Sequence, residues 1–137
     1  GGPDEKEEAD EFFVAFEGTP GLINLVGKLS IPETIATLQL SSLLITNDSG
    51  LLHWAIAIDT PTVSFFGPET PDLYGPEDRD RHIVFYSARY CSPCLTSTYA
   101  KVSYCSDNLC LRDISVPEVF DAVINILNHG KSHASDK

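Results

Sequence analysis

The chain has 137 residues, 42% of them hydrophobic, and its twenty Asp and Glu against nine Lys and Arg give a formal net charge of −11. This length suits a single domain, while the acidic balance argues against nucleic-acid partners and polybasic membrane contacts. No apolar run approaches the length of a transmembrane segment and no signal peptide opens the chain, so we interpret the protein as soluble and cytoplasmic.

The first residues indicate that the chain is a piece of a longer protein. There is no methionine, and the opening sequence GGPDE reads as a turn that should follow a strand. We therefore expect a preceding segment, and we expect any active site to be shared with it.

The sequence of the first third of the chain predicts alternating helices and strands. Ser30, Pro32 and Glu33 form a typical helix start, in which Ser30 caps the helix and Glu33 completes a capping box. The predicted elements are a surface helix over residues 5–16, a strand over 23–26, a helix from 30 to about 40 and a strand over 43–46.

The remainder of the chain continues this alternation and repeats the Ser-x-Pro-Glu helix start at Ser115. A flexible tail is expected after the last helix. The predicted elements are a buried helix over 51–58, a strand over 62–66, a surface loop over 69–81, a strand over 82–86, a cysteine-bearing loop over 91–110, a helix from 115 to about 128 and the tail over 129–137.

Strands that alternate with helices over short links predict an α/β domain, with a parallel sheet and helices on both of its faces. We expect this domain to cover residues 1–128. Ligands of such sheets bind at the carboxyl ends of the strands, where this chain places two loops, 47–50 and 67–70.

The first of these loops places Asp48, Ser49 and Gly50 between two apolar segments, with His53 one helical turn further on. The free N–H groups at a helix N-terminus bind phosphate without a lysine, so the loop is a candidate site for an anionic ligand. The alternative is structural: Asp48 and Ser49 cap the helix, and His53 is a core residue.

The four cysteines are Cys91, Cys94, Cys105 and Cys110. A Cys-x-x-Cys pair followed by two more cysteines in one loop is typical of a structural zinc site, and disulfides are rare in the cytoplasm. The wider spacing of the second pair leaves metal-free thiols as the alternative.

The segment from Gly27 to Pro76 resembles the C-terminal domain of the bacterial lipopolysaccharide heptosyltransferases, glycosyltransferase family nine. The motifs that carry the resemblance are GKLS, DSGLLH, PTV and FGP, which occur in the family's order and spacing. CSPC, the later cysteines and LRDISVPEV resemble the end of heptosyltransferase II-like members.

The resemblance implies the donor-binding, Rossmann-like C-terminal half of a GT-B fold, here truncated. It implies inverting transfer of heptose from ADP-heptose to the lipopolysaccharide inner core, with no metal required and with cytoplasmic or peripheral inner-membrane localisation. The donor residues that it implies are Glu5 for the ribose, Leu29 for the adenine, Asp48 for the sugar hydroxyls, the backbone amides of Ser49 and Gly50 for the diphosphate, and His53 near the phosphates.

The resemblance places the general base and the acceptor site upstream of Gly1, so no catalytic residue is expected in this chain, and the fragment alone is expected to be inactive. Trp54 and Glu69 depart from the family's usual residues. Two other functions stay open: a family member that uses another nucleotide sugar, and a binding domain without transferase activity that is stabilised by zinc on the four cysteines.

Overall fold

The computed structural model of the chain describes residues 1–95 and 103–132. The chain divides into two compact units, Gly1–Thr37 and Leu38–Lys137. The helices are α1 (Lys6–Ala15), α2 (Ile31–Leu40), α3 (Gly50–Ala57), α4 (Pro71–Tyr74), α5 (Leu109–Arg112) and α6 (Val116–Ser132), and the strands are β1 (Leu44–Asn47), β2 (Thr62–Phe66) and β3 (His82–Tyr86).

The first unit contains the predicted surface helix, α1, preceded by a 3₁₀ turn over Pro3–Glu5. Phe12 and Phe16 lie one turn apart on α1, and their ring centroids are 4.6 Å apart. Both rings remain about half exposed. No described residue of this unit is fully buried, so its aromatic residues cluster at the surface without forming a core.

The strand predicted over residues 23–26 is wrong, because this segment forms irregular backbone that leads into a turn. The Asn24 side chain accepts a hydrogen bond from the Val26 N–H at 3.0 Å, and the Lys28 N–H donates to the Leu25 carbonyl at 3.1 Å. A strand requires a neighbouring strand to satisfy its backbone, whereas these groups are paired within the segment itself.

Helix α2 begins where the sequence predicts, but its cap differs in detail. The Glu33 carboxylate accepts from the Ser30 N–H at 2.8 Å, as in a capping box. The Ser30 hydroxyl also donates to this carboxylate, at 2.6 Å. These hydrogen bonds lower the pKa of Glu33, the side-chain bond being the larger cause.

The second unit is built on a three-stranded parallel sheet in the order β1-β2-β3. The predicted strands over 62–66 and 82–86 are confirmed to the residue. The strand predicted over 43–46 and the helix predicted over 51–58 are each confirmed within one residue at both ends. The α/β class and the parallel sheet are therefore confirmed.

The core of this unit lies around the central strand. Leu52 and Ala55 of α3 are fully buried, as are Val63 and Phe66 of β2, and α3 packs on both β1 and β2. α5 and α6 also pack on β2. Burial of these side chains stabilises the unit by roughly 1.5–3 kcal/mol for each large aliphatic or aromatic group.

Polar groups in the buried part of the sheet have partners. The Thr62 hydroxyl lies 3.1 Å from Nδ1 of His82, which is 3% exposed. Burial lowers the pKa of His82, since the charged imidazolium is disfavoured away from water. This pair connects the amino-terminal ends of β2 and β3, which are also register partners.

Three segments differ from their predictions. The loop predicted over 69–81 contains α4, which the Thr70 hydroxyl caps by accepting from the Asp72 N–H at 3.3 Å; the signal missed is a Thr-Pro helix start. The cysteine-bearing loop ends in α5. α6 continues past residue 128 to Ser132, since a helix tolerates a glycine near its end, and residues 133–137 lie outside the described residues.

No helix among the described residues combines the length and the apolar character that a membrane span needs.

Candidate functional site

The carboxyl ends of β1 and β2 lie side by side. Asn47, the last residue of β1, is the register partner of Phe65, and the Asp48 N–H extends the ladder by donating to the Phe65 carbonyl at 3.1 Å. The loops that follow the two strands therefore leave the same edge of the sheet, as the sequence predicts.

The loop after β1 leads directly into α3. Ser49 stands at the N-cap with an extended backbone, yet its side chain makes no capping hydrogen bond; its hydroxyl lies 3.1 Å from the Thr46 hydroxyl instead. Capping by the Ser49 side chain, one form of the structural alternative, is therefore wrong. The Asp48 carboxylate, about three-quarters buried, lies 3.9 Å from Nε2 of the half-exposed His53.

Gly50, the first residue of α3, faces open space. A Cβ at this position would meet no described atom within 4 Å outside its own helix and its chain neighbours. A ligand can therefore approach the first backbone N–H groups of α3, which carry the positive end of the helix dipole.

The loops after β1 and β2 enclose a cleft of about 300 Å³. It carries two carboxylates, Asp48 and Glu69, and its lining contains no lysine or arginine among the described residues. An anionic group in this cleft would rely on the α3 N-terminus for its positive partner. The lining residues are Asn47, Asp48, Phe65, Gly67, Pro68, Glu69, Leu95 and Leu111.

A second hollow, of about 280 Å³, adjoins the cleft and shares Asn47, Phe65 and Leu111 with it. Val116 and Val119 of α6 form its far side. The sequence did not single out Phe65, Leu95 or Leu111 as site residues. The position of Phe65 near the end of β2 could have indicated it, but no local pattern indicates the two leucines, which lie after β3 and in α5.

Two predicted donor residues, Glu5 and Leu29, belong to the first unit. The Glu5 carboxylate accepts from the Gly2 N–H at 2.6 Å and so closes the 3₁₀ turn at the start of the chain. Leu29 is half-buried just before α2. Their roles toward the ribose and the adenine stay predictions.

The four cysteines line a single cavity of about 360 Å³. Cys91 and Cys105 are exposed and Cys110 is buried, and burial raises the pKa of the Cys110 thiol. Cys94 Sγ lies 3.3 Å from the Ser103 hydroxyl. Within residues 1–95 and 103–132, no three Cys, His, Asp or Glu side chains are close enough together to hold one metal ion.

An ion pair joins the segment just before the cysteine-bearing loop to the residue that follows α5. The Arg89 guanidinium donates two hydrogen bonds to the Asp113 carboxylate, one of them 2.7 Å long from Nη2. The hydrogen bond from Arg89 lowers the pKa of Asp113. A bidentate pair of this kind sets orientation as well as distance.

Comparison with known proteins identifies relatives of one kind. Residues 1–104 match the family model described as Glycosyltransferase family 9 (heptosyltransferase). Lipopolysaccharide heptosyltransferase 2 of Salmonella typhimurium is 33% identical over 61 residues, which are 44% of this chain and 18% of that protein. Lipooligosaccharide heptosyltransferase 2 of Campylobacter jejuni is 26% identical over 106 residues, 77% of this chain and 32% of that protein.

Among solved structures, the crystal structure of the glycosyl transferase family 9 from Veillonella parvula is similar, with a TM-score of 0.69 and 29% sequence identity. The match covers 94% of this chain and 36% of that one. The chain thus corresponds to little more than a third of the solved relative and to smaller parts of the curated ones.

Proposed function

Because the chain belongs to glycosyltransferase family 9, we propose that it is the donor-binding part of an enzyme that transfers heptose from ADP-heptose to the inner core of lipopolysaccharide. The observation that carries this proposal is the cleft at the carboxyl ends of β1 and β2, with the open N-terminus of α3 beside it. This is the position at which parallel α/β sheets bind ligands.

We propose a specific placement of the donor at this edge of the sheet. Its diphosphate would lie on the backbone amides of Ser49 and Gly50, where the α3 dipole compensates the negative charge. Asp48 would accept hydrogen bonds from sugar hydroxyls, and His53, 3.9 Å from Asp48, would lie near the phosphates. The names of the relatives support a heptose donor in general, and ADP-heptose is our more specific proposal.

We propose inverting chemistry that is divided between this chain and another segment. An acceptor hydroxyl would attack the anomeric carbon as the bond from that carbon to the diphosphate oxygen breaks, and a base would take the hydroxyl proton. This chain would hold the departing diphosphate with the α3 amides, without a metal. The base and the acceptor site would come from sequence outside the chain, in a cytoplasmic enzyme that meets its lipid acceptor at the inner membrane.

Calorimetric titration of the full-length enzyme with ADP tests donor binding. UDP and GDP, which differ from ADP in the nucleobase, serve as matched controls for recognition of the adenine. We expect ADP to bind most tightly, and a donor screen to give turnover with ADP-heptose. Tighter binding of UDP or GDP than of ADP would contradict ADP-heptose as the donor and would favour a family member that uses another nucleotide sugar. Failure to bind any nucleotide would contradict the proposal and favour a binding domain without transferase activity. Turnover by the 137-residue chain alone would contradict the shared active site.

We propose in addition that Cys91, Cys94, Cys105 and Cys110 hold one structural zinc ion. The support is that all four line one cavity, and that thiolates of this spacing suit zinc. Since no three of the described ligands yet lie within reach of one ion, binding requires the cysteine-bearing segments to close around the metal.

Metal analysis of the purified protein tests the zinc proposal. We expect about one zinc per chain and a lower melting temperature after chelation. A variant with serine at Cys105 should lose the metal, whereas Ser106→Ala, in the same cavity, should keep it. Absence of zinc together with four freely titratable thiols would leave the cysteines as metal-free residues.

A further inference from the structure

The turn after β2, residues 67–70, contributes Gly67, Pro68 and Glu69 to the lining of the donor cleft, and it accepts hydrogen bonds from the cysteine-bearing loop. The Pro68 carbonyl accepts hydrogen bonds from the N–H groups of Cys94, at 2.8 Å, and Leu95, at 2.9 Å. The Ser92 hydroxyl donates to the carbonyl of Gly67. The carbonyls of Gly67 and Pro68 therefore both accept hydrogen bonds from one short segment, residues 92–95, which we name the anchoring segment.

Ser92 occupies a central place in this arrangement. Its hydroxyl oxygen also lies 3.2 Å from the hydroxyl of Tyr86, the last residue of β3, and Gly67 is buried. The side chain thus links the end of β3 to the turn that follows β2. Without the Ser92 hydroxyl, the Gly67 carbonyl would lose its hydrogen bond in a place that water reaches poorly.

The anchoring segment also reaches the cleft itself. Leu95 lines the cleft together with Glu69 and Leu111. Cys110 and Leu111 pack so closely behind Gly67 that even a methyl group there would lie within about 3 Å of both. The position of the turn is therefore restricted both by close packing at Gly67 and by the hydrogen bonds of the anchoring segment.

We propose that Ser92 is a positioning residue for donor binding: through Gly67 it sets the position of the turn that carries Glu69, and so the width of the cleft. The proposal rests on the function proposed above, and it assigns the cysteine-bearing loop a role in that site that does not depend on metal. A change confined to Ser92 should therefore alter donor affinity without removing any group that contacts the donor.

The test compares three variants of the full-length enzyme by calorimetric titration with ADP, by donor KM and kcat, and by thermal melting. Ser92→Ala should raise the Kd for ADP and the donor KM by about tenfold, with a smaller change in kcat. Ser92→Thr keeps the hydroxyl and should restore the affinity. Ser106→Ala removes a hydroxyl that lines the cysteine cavity without contacting the turn, and should bind ADP like the wild type.

A measurement on the wild type covers the case in which Ser92→Ala does not fold. Donor binding that steadies the turn must also steady the anchoring segment, because coupling between two sites is reciprocal. Saturating ADP should therefore slow hydrogen exchange of the Cys94 backbone amide, which donates to the Pro68 carbonyl, several-fold, while the Cys105 amide, which donates to Ser103, exchanges at an unchanged rate.

The outcomes separate the two proposals. A wild-type enzyme that binds no ADP contradicts the proposed function itself. ADP binding with no protection of Cys94, or a folded Ser92→Ala variant with unchanged ADP affinity, overturns the role of Ser92 and leaves the proposed function standing. An equal loss of affinity in Ser106→Ala would also overturn it, because the effect would then not be specific to the turn.

Discussion

Two glycines at the same edge of the sheet serve opposite purposes. Gly50 follows β1, and a Cβ there would meet open space; Gly67 follows β2, and a Cβ there would lie 2.9 Å from Cys110 Sγ and 3.0 Å from the Leu111 side chain. Neither glycine has a positive φ, so a left-handed backbone conformation does not explain why glycine occurs at either position. Gly50 therefore leaves open space, in which we propose that the donor binds, whereas Gly67 is required by the close packing of Cys110 and Leu111.

We expect this difference to separate the proposed donor binding, at Gly50, from stability, at Gly67. The loop after β1 has open space beside Gly50 and leads directly into α3, whose Leu52 and Ala55 are fully buried. The turn after β2 is packed from behind and fixed by hydrogen bonds through its carbonyls. The same substitution at the two glycines should therefore give different kinds of defect, which the following predictions test in order of decreasing size.

The largest effect is expected from Gly67→Val. Its side chain must displace Cys110 and Leu111, and overpacking of this kind costs about 3 kcal/mol of the free energy of unfolding. Urea denaturation of the variant, beside Gly50→Val as the matched control, measures the difference. Equal stability of the two variants would show that the packing around Gly67 yields, and the contrast between the glycines would be lost.

Asp48→Ala should mainly reduce turnover in the full-length enzyme. Loss of one hydrogen bond to a charged group is worth roughly 1.5–3 kcal/mol, or about tenfold to a hundredfold in rate. Capping by Asp48 predicts instead a loss of about 1 kcal/mol in stability, with normal turnover per folded molecule. Kinetics and thermal melts of the same variant decide between them, and Glu77→Gln, an exposed acidic residue outside the cleft, controls for the change in charge.

Gly50→Val should raise the Kd for ADP by at least about tenfold, because the new side chain occupies the space above the α3 amides. Stability should fall only slightly, by about 0.5 kcal/mol for a β-branched residue in a helix. Calorimetric titration beside thermal melting makes the comparison. Normal ADP binding by this variant would mean that the open space is not the diphosphate site.

The smallest effect concerns pH and the opposite end of the sheet. His82 has a lowered pKa in the folded chain, so the unfolded chain binds more protons between that pKa and about 6.5, and stability is lost as the pH falls through this window. His82→Gln should flatten the dependence of the melting temperature on pH there. ADP affinity per folded molecule should stay unchanged, since His82 lies at the amino-terminal end of β3.

Asp113 provides the control for that titration. The hydrogen bond from Arg89 lowers the pKa of Asp113, so its contribution to stability is present above about pH 4 and is lost only at more acid pH. The fall in melting temperature below about pH 4 that depends on Asp113 should persist in His82→Gln and should become smaller in Asp113→Asn. A wild-type melting temperature that stays constant between pH 6.5 and 5 would contradict the assignment to His82.

The sequence by itself determined the parts of this protein that depend on neighbouring residues. The β-branched and aromatic residues of the run 62–66 specify β2, because such side chains pack well on a pleated surface, and Ser30 with Glu33 marks the start of α2, because they satisfy backbone groups within one turn. The order of strands and helices was sufficient for the parallel sheet, and the short motifs indicated the family that the comparison confirmed.

Only the tertiary structure decided what depends on residues far apart in the chain. Residues 23–26, three of them apolar, do not form a strand, since burial and a neighbouring strand are properties of the fold and not of the segment. Leu95 and Leu111 join Asp48 in one cleft because the segment after β3 and helix α5 return to the same edge of the sheet. Gly50 and Gly67 look alike in sequence, and their difference lies in which atoms the folded chain brings above each of them.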